Sequence, residues 1–235
     1  MRLVMVHGSS HRGNTWHYAD MLREALEARG PVTLQEFFLP RDLPDHCVGC
    51  FSCIKKGEET CPHAAKVSPI AEATAEADVI VLTSPIYALD VSGGMKTMLD
   101  HLCYRWLVHR PDPRFFSKLG VTVATTAGAG LGHASKTMRQ SLRFWGVRHA
   151  LSLKMAVSAS GWDEVSEKNR ERMRKNAEAA ARKLDHMAKR PFGSPLRRIV
   201  FFTVRSAMRK GNWLERDMNH WRERGWLDKV NPFKT

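Results

Sequence analysis

The sequence has no apolar run near the roughly 20 residues that cross a bilayer as a helix, so no segment reads as membrane-spanning. It lacks a charged-then-apolar leader with a cleavage site. The first residues pass straight into a strand pattern, and a cytoplasmic protein is expected. There is no G-x-x-x-x-G-K-[ST], no G-x-S-x-G and no H-E-x-x-H, which leaves kinase, serine-hydrolase and zincin chemistry without a foothold. The nearest approach to a dinucleotide fingerprint, Gly128-Ala129-Gly130-Leu131-Gly132-His133, fails at His133, where the third glycine belongs. No acidic residue follows it about 20 positions on. Acid itself is scarce: 24 Asp and Glu face 37 Lys and Arg, a net charge of +13. The imbalance is local. Residues 182–235 hold 14 Lys and Arg against 5 Asp and Glu, so the C-terminal part has its own character. Cysteine is sparse too, five in all, an odd count that does not suit a secreted disulfide framework.

What is present is ordinary globular material. The chain has 235 residues and 43% hydrophobic content, enough for one large domain plus an extension. Apolar runs at 2–7, 32–38, 78–83, 121–125 and 151–158 read as strands. Helical spacing occupies 14–29, 69–76, 95–108, the stretch from the Gly-rich turn 127–132 to Trp145, and 164–189 with its i,i+4 charge pairs. Strands alternating with helices predict an α/β domain, a doubly wound five-stranded parallel sheet covered on both faces. Ligands in such sheets sit beyond the carboxyl ends of the strands. Three slim loops lie there: 8–15, 84–94 and 126–133.

The first of these, Gly8-Ser9-Ser10-His11-Arg12-Gly13-Asn14-Thr15, joins a buried strand to a helix start. The first N–H groups of a helix lack intrahelical partners and carry partial positive charge, so the stretch reads as a phosphate pocket. Ser9, Ser10, Asn14 and Thr15 add short donors and Arg12 a full charge. The competing reading is a capped βα turn, since Ser, Asn and Thr are favoured caps.

Together with Ser84-Pro85-Ile86-Tyr87 and Ser92-Gly93-Gly94-Met95-Lys96 with Leu99-Asp100, this stretch resembles the flavodoxin-like NAD(P)H-dependent FMN reductases, relatives of iron–sulfur flavoproteins. The resemblance covers about residues 1–160 and implies a flavodoxin-like sheet of order 2-1-3-4-5. It implies that Ser9, Ser10, Arg12, Asn14 and Thr15 hold the FMN phosphate. Pro85, Ile86 and Tyr87 would wall the isoalloxazine ring, and Thr126, Ala127 and Gly128 would meet its other edge. Tyr87 could otherwise cap the core at a strand end. His11 departs from the family, which often carries proline there. NAD(P)H would be the electron donor and a quinone, nitroaromatic or free flavin the acceptor. The flavin carries the hydride chemistry, so no side chain is assigned as catalytic. The family further implies a homo-oligomer, dimer or tetramer.

Cys47-x2-Cys50-x2-Cys53-x7-Cys61-Pro62 lies in a Pro-, Gly- and Cys-rich loop, 39–67. Four thiolates this close could enclose a [4Fe–4S] cluster, and the pattern is similar to that of iron–sulfur flavoproteins. Zinc prefers separated pairs. Reduced thiols or a local disulfide would equally order the loop. Cys103 stands apart and reads as buried packing.

The organisation expected is a domain over 1–190 and a basic, Trp-rich helical arm over 191–235. In the arm Leu196, Ile199, Val200, Val204, Ala207 and Met208 form a stripe, with Arg197, Arg198, Arg205 and Arg209 largely off it. Trp213, Trp221 and Trp226 follow. The arm is expected to pack on the domain or on a second subunit. An anionic membrane surface is the sharper alternative, and no nucleic-acid module accompanies the charge. The leading expectation is an FMN-dependent NAD(P)H oxidoreductase. The rivals are an iron–sulfur flavoprotein electron carrier and a flavodoxin-fold interaction protein docking through its arm.

Overall fold

The computed structural model describes residues 1–189 and 195–233. The expected boundary at 190–191 and the side chains of Leu196 and Arg197 lie outside the described residues. The elements are β1 (Arg2–His7), α1 (Asn14–Glu27), β2 (Thr33–Phe38), α2 (Ser52–Lys55), α3 (Ala64–Glu76), β3 (Val79–Tyr87), β4 (Asp90–Val91) and α4 (Gly93–His101). They continue with β5 (Leu119–Thr126), α5 (Leu131–Phe144), β6 (His149–Ala156), α6 (Glu167–Ala188), α7 (Pro195–Lys210) and α8 (Glu215–Glu223).

The five long strands are all parallel, in the order β2-β1-β3-β5-β6. This is the expected flavodoxin-like order with one addition. β4 is a two-residue antiparallel partner of the end of β3, joined through Ala88 and Leu89, both at positive φ. Numbered along the chain, the expected order 2-1-3-4-5 thus becomes 2-1-3-5-6. A hairpin turn built from Ala and Leu carries none of the Gly or Asn signals that mark one in a sequence.

Alternate residues of each strand feed opposite cores, as strand geometry requires. Val4, Val6, Ile80 and Leu82 pack under Ile70 of α3, Met95 and Met98 of α4, and Met138 and Leu142 of α5. Leu3, Met5, Val79, Val81, Val121 and Val123 pack under Tyr18, Leu22 and Leu26 of α1 and Met173, Ala177, Ala181 and Leu184 of α6. The helix expected over 95–108 stops at His101. The chain is drawn off by a bond from Leu107 N–H to Phe144 O, 2.8 Å. α3 starts at Ala64 rather than Pro69, so that Pro69 lies inside the helix.

The arm packs on the domain. Phe201, Val204 and Met208 of α7 and Trp221 and Trp226 form a third core with Leu107 and Phe116. Arg205, expected off the apolar stripe, is buried at 8% exposure and donates to Val230 O, while Arg209 donates to Leu227 O and Asp228 O. Two arm arginines are therefore committed internally. Asp217 of α8, 1% exposed, accepts from Arg110 Nη1 at 2.7 Å and from His109 Nδ1 at 2.9 Å. Removing one partner of a buried ion pair leaves the other charge uncompensated. Asp217→Ala is expected to cost about 3–5 kcal/mol, read as a lowered midpoint in urea unfolding.

Candidate functional site

A cavity of about 300 Å³ opens at the carboxyl ends of the parallel strands. It is lined by the loop after β1, the start of α1, the ends of β3 and β5, and the chain after β6. Eight of the eleven residues expected to hold a cofactor lie in its wall: Ser9, Asn14, Thr15, Pro85, Ile86, Tyr87, Thr126 and Ala127. Ser10, Arg12 and Gly128 are not part of the lining. The Arg12 guanidinium instead lies 4.7 Å from the Trp16 ring centroid and 6.0 Å from that of Phe38. A guanidinium over an indole face is a favourable cation–π arrangement, and here the indole is that of Trp16, which itself lines the cavity.

The amino end of α1 carries the anion-binding potential. Gly13 occupies the N-cap position, no side chain caps the helix, and its first turn has no acidic residue. The capped-turn reading is therefore not what the chain adopts. The loop is pinned from below: Gly8 N–H donates to Thr83 O at 2.7 Å. A Cβ on Gly8 would stand 2.6 Å from Ser92 Oγ and 2.9 Å from Thr83 O, so only glycine allows this approach. Ser9 Oγ lies 3.0 Å from His11 Nδ1. Thr15 Oγ1 and Thr125 Oγ1 are 2.5 Å apart.

Asn14 Nδ2 donates to Ala159 O at 3.1 Å, but its buried Oδ1 has no partner. Buried acceptors of this kind are normally satisfied, so the wall has room for a ligand donor. Tyr87 is 54% exposed at the lip and does not cap the core. Gly130, of the failed dinucleotide fingerprint, has φ +94°, and a Cβ there would meet Leu89 O at 2.7 Å. It lets the third loop close against the β3–β4 hairpin, which is also held by Thr137 Oγ1 to Asp90 Oδ1 at 3.2 Å and by His133 Nε2 to Asp90 Oδ2 at 3.2 Å.

The structure adds a fourth loop that the sequence reading missed. Val157, Ala159 and Ser160 line the cavity, with Ser158 at positive φ. His7, Thr83 and Trp16 complete the floor. The signal for His7 was available: a histidine ending an otherwise apolar strand.

The four loop cysteines do not form a ligand set. Among the described residues no group of three or more His, Cys, Asp or Glu is placed to hold a metal ion. All five thiols are free. Cys47 and Cys50 are exposed, and Cys50 Sγ donates to Ser52 Oγ at 3.4 Å. Cys61 Sγ is 3.9 Å from His101 Nδ1. Cys103 is not isolated packing, because its thiol is hydrogen-bonded to Cys53. That bond, aided against burial by the nearby Arg110 charge, pushes the Cys53 thiol down to about 6, while Cys103 is pushed up. The residues present do not fit an iron–sulfur cluster in this arrangement.

Residues 1–162 match the family model described as NADPH-dependent FMN reductase. The chain belongs to that family. Among curated relatives of this FMN reductase-family chain, an iron-sulfur flavoprotein of Archaeoglobus fulgidus is 28% identical over 149 residues, 63% of this chain and 64% of that one. An iron-sulfur flavoprotein of Methanocaldococcus jannaschii is 33% identical over 105 residues, 43% and 51% of the two chains. The matches thus span 64% and 51% of those relatives' own lengths. An azoreductase from Bacillus anthracis str. Sterne shares the fold at TM-score 0.61 and 15% identity, covering 78% of this chain and 99% of its own. An FMN-dependent NADH-azoreductase from Bacillus anthracis str. Ames Ancestor, in complex with FMN, does so at TM-score 0.59 and 13% identity, with the same coverage.

Two outcomes follow from this geometry. Gly8→Ala should lower stability by roughly 1–3 kcal/mol, read by urea unfolding, because the Thr83 carbonyl cannot retreat cheaply. Iodoacetamide should label Cys53 as pH rises through about 6, well below the range of an ordinary thiol at about 8.5. Peptide mass mapping of the labelled sites checks this.

Proposed function

We propose that this chain is an FMN-dependent NAD(P)H oxidoreductase that reduces a small flat acceptor: a quinone, a nitroaromatic or a free flavin. The observation that carries the reading is the uncapped amino end of α1 opening, with Ser9, Asn14 and Thr15, into the same cavity as the apolar and aromatic edge Pro85-Ile86-Tyr87. The donor set and the unpartnered Asn14 Oδ1 suit a ligand with a phosphate, hydroxyl groups and a flat ring. When bound, FMN supplies the hydride chemistry.

The chain's part is to bind, orient and shield. Ser9, Ser10 and Thr15, with the first N–H groups of α1, hold the phosphate, and Arg12 adds charge from outside the lining. Asn14 Oδ1 accepts from a ligand hydroxyl. Pro85, Ile86 and Tyr87 hold one side of the ring against water, and Thr126, Ala127 and Gly128 border the other edge. In this reading no side chain acts as nucleophile or general base. The protein works in the cytoplasm as a homo-oligomer. Tyr87 at 54% exposure and Leu89 at 62%, both at the lip, support a second copy covering the site.

The electron-carrier reading is supported by the names of the relatives, and the lack of a metal-holding group among the described residues speaks against it. Docking on a membrane through the arm loses force because Arg205 and Arg209 are engaged internally. Among the described residues no helix is long and apolar enough to cross a membrane.

The test is a visible spectrum of anaerobically purified protein, then FMN titration and NADH or NADPH oxidation with a quinone acceptor. A flavin spectrum and FMN-dependent turnover are expected, and failure to take up FMN would sink the reading. Thr15→Val should weaken FMN binding about 10- to 100-fold, the loss of one hydrogen bond to a charged group. Arg12→Ala should cost less, and fluorescence titration compares the two.

A further inference from the structure

One buried titratable group in the floor of the cavity has no part in the function just described. His7, the last residue of β1, is 1% exposed and lines the cavity. Its Nε2 lies 3.0 Å from Glu36 Oε1 and its Nδ1 lies 3.1 Å from Thr83 Oγ1. Glu36 Oε1 also accepts from Trp16 Nε1 at 3.0 Å. The Glu36 carboxyl is held below its ordinary value, first by the His7 hydrogen bond and, against burial, by Trp16 and the Arg12 charge.

These partners fix where the imidazole protons go. An ionised carboxylate only accepts, so Nε2 keeps its proton in both charge states and Nδ1 alone gains or loses one. With Nδ1 bare, the Thr83 hydroxyl donates to it and turns only lone pairs to the cavity. With Nδ1 protonated, it donates to Thr83 Oγ1, and the hydroxyl proton is released toward an acceptor in the cavity. His7 is the partner that the Thr83 hydroxyl has among the described residues. We propose that His7, charged against Glu36, is a positioning residue that turns the Thr83 hydroxyl into a donor toward the oxygens of a phosphorylated ligand, so that ligand affinity depends on one proton.

The ring is enclosed from three sides. From β2, Glu36 faces Nε2, and Phe38 stacks on the ring at 4.7 Å between centroids. From β3 the neighbour is Thr83, which does not titrate. From the loop and α1 come Arg12 and the Trp16 that also bonds Glu36. His11 and Tyr87 are the other titratable groups in the cavity wall. Arg12 is not in the lining and rests on Trp16, so His7 is the imidazole that the floor itself presents. Pairing with Glu36 leaves the buried couple neutral overall, which limits the cost of charging it.

The inference rests on the FMN reading and can fail separately from it. FMN dissociation constants would be measured by fluorescence quenching from about pH 6 to about pH 8.5, across the range in which histidine changes charge. The proteins compared are wild type, His7→Asn, Thr83→Val and Thr83→Ser. Wild-type affinity should fall about tenfold as pH rises and the extra donor is lost, the worth of one hydrogen bond to a charged group. The ligand's second phosphate ionisation, near about 6, acts in the opposite direction and is common to all four proteins.

His7→Asn offers a donor in place of Nδ1 at every pH, so its affinity should not fall with pH. Thr83→Val should bind weakly, also without that fall. Thr83→Ser should keep the wild-type profile, and with His7 in place it keeps the test readable if His7→Asn does not fold. A Thr83→Val profile that falls like wild type would overturn the proposal. Wild-type protein that takes up no FMN at any pH would overturn the flavin reading with it.

Discussion

The parallel pairing of β1 with β3 does not stop where the strands stop. It runs one hydrogen bond further, from Gly8 N–H to Thr83 O at 2.7 Å, and the site hangs on that bond. It fixes the height of the loop above the strand ends. It brings the amino end of α1 over the cavity and places Thr83 directly below. Only glycine tolerates the approach, with Ser92 Oγ and the Thr83 carbonyl both under 3.0 Å from where a Cβ would sit. Ser92 is itself fixed, accepting from Met95 N–H at 3.2 Å as the cap of α4, while its own N–H donates to Ser84 Oγ at 2.9 Å. The first two loops of the site therefore share one backbone framework. Gly130 seats the third loop against the hairpin of the second by another close approach.

The sheet was legible in the sequence because both its faces are buried. Continuous apolar runs such as Val79–Leu82 can serve two cores only in a covered parallel sheet, and the cavity residues followed from the loops at the strand ends. Less legible was whatever depends on partners distant in sequence. Glu36 reads as the polar half of an alternating strand, yet it binds His7, 29 residues away. Pro85 read as a strand end, but β3 continues to Tyr87. β1 has already ended at His7, so a residue without an N–H is tolerated beyond that point. The wall from Val157 to Ser160 has no turn motif to announce it. Arg12 was assigned to the phosphate by its position in the loop, and no local pattern could reveal that Trp16 and Phe38 offer its guanidinium a competing face.

The arm and the cysteine loop are parts of one assembly. Arg110 links them: its guanidinium donates to Cys53 O, to Ile54 O at 3.1 Å, to Glu58 Oε2 at 3.2 Å and to Asp217 of α8. Arg216 to Glu59, 3.0 Å, adds a surface pair along the same seam. A loop this long inside a compact domain needs an ordering element. Local cysteine chemistry was expected to supply it. Here the order comes from a buried arginine and from a segment more than 100 residues further along the chain, with Cys103 engaging Cys53 from beneath. The basic charge that set the arm apart is partly consumed in this way, which is why composition alone overstated its freedom to meet an outside partner.

Arg12 is outside the cavity lining, but its guanidinium rests on Trp16, which is part of it. A guanidinium keeps its charge at any physiological pH, so a pocket built on it would be indifferent to acidity. The histidines of the cavity wall are His7 and His11. The fixed partial charge at the amino end of α1 gives a constant attraction for an anion. Glu36 decides that His7 contributes through Thr83 rather than directly, because one ring nitrogen is held by the carboxylate and the other faces the hydroxyl. The same carboxylate holds the Trp16 indole N–H, and that indole is the face on which Arg12 rests. One glutamate on the edge strand β2 thus touches both the histidine of the cavity wall and the indole on which Arg12 rests.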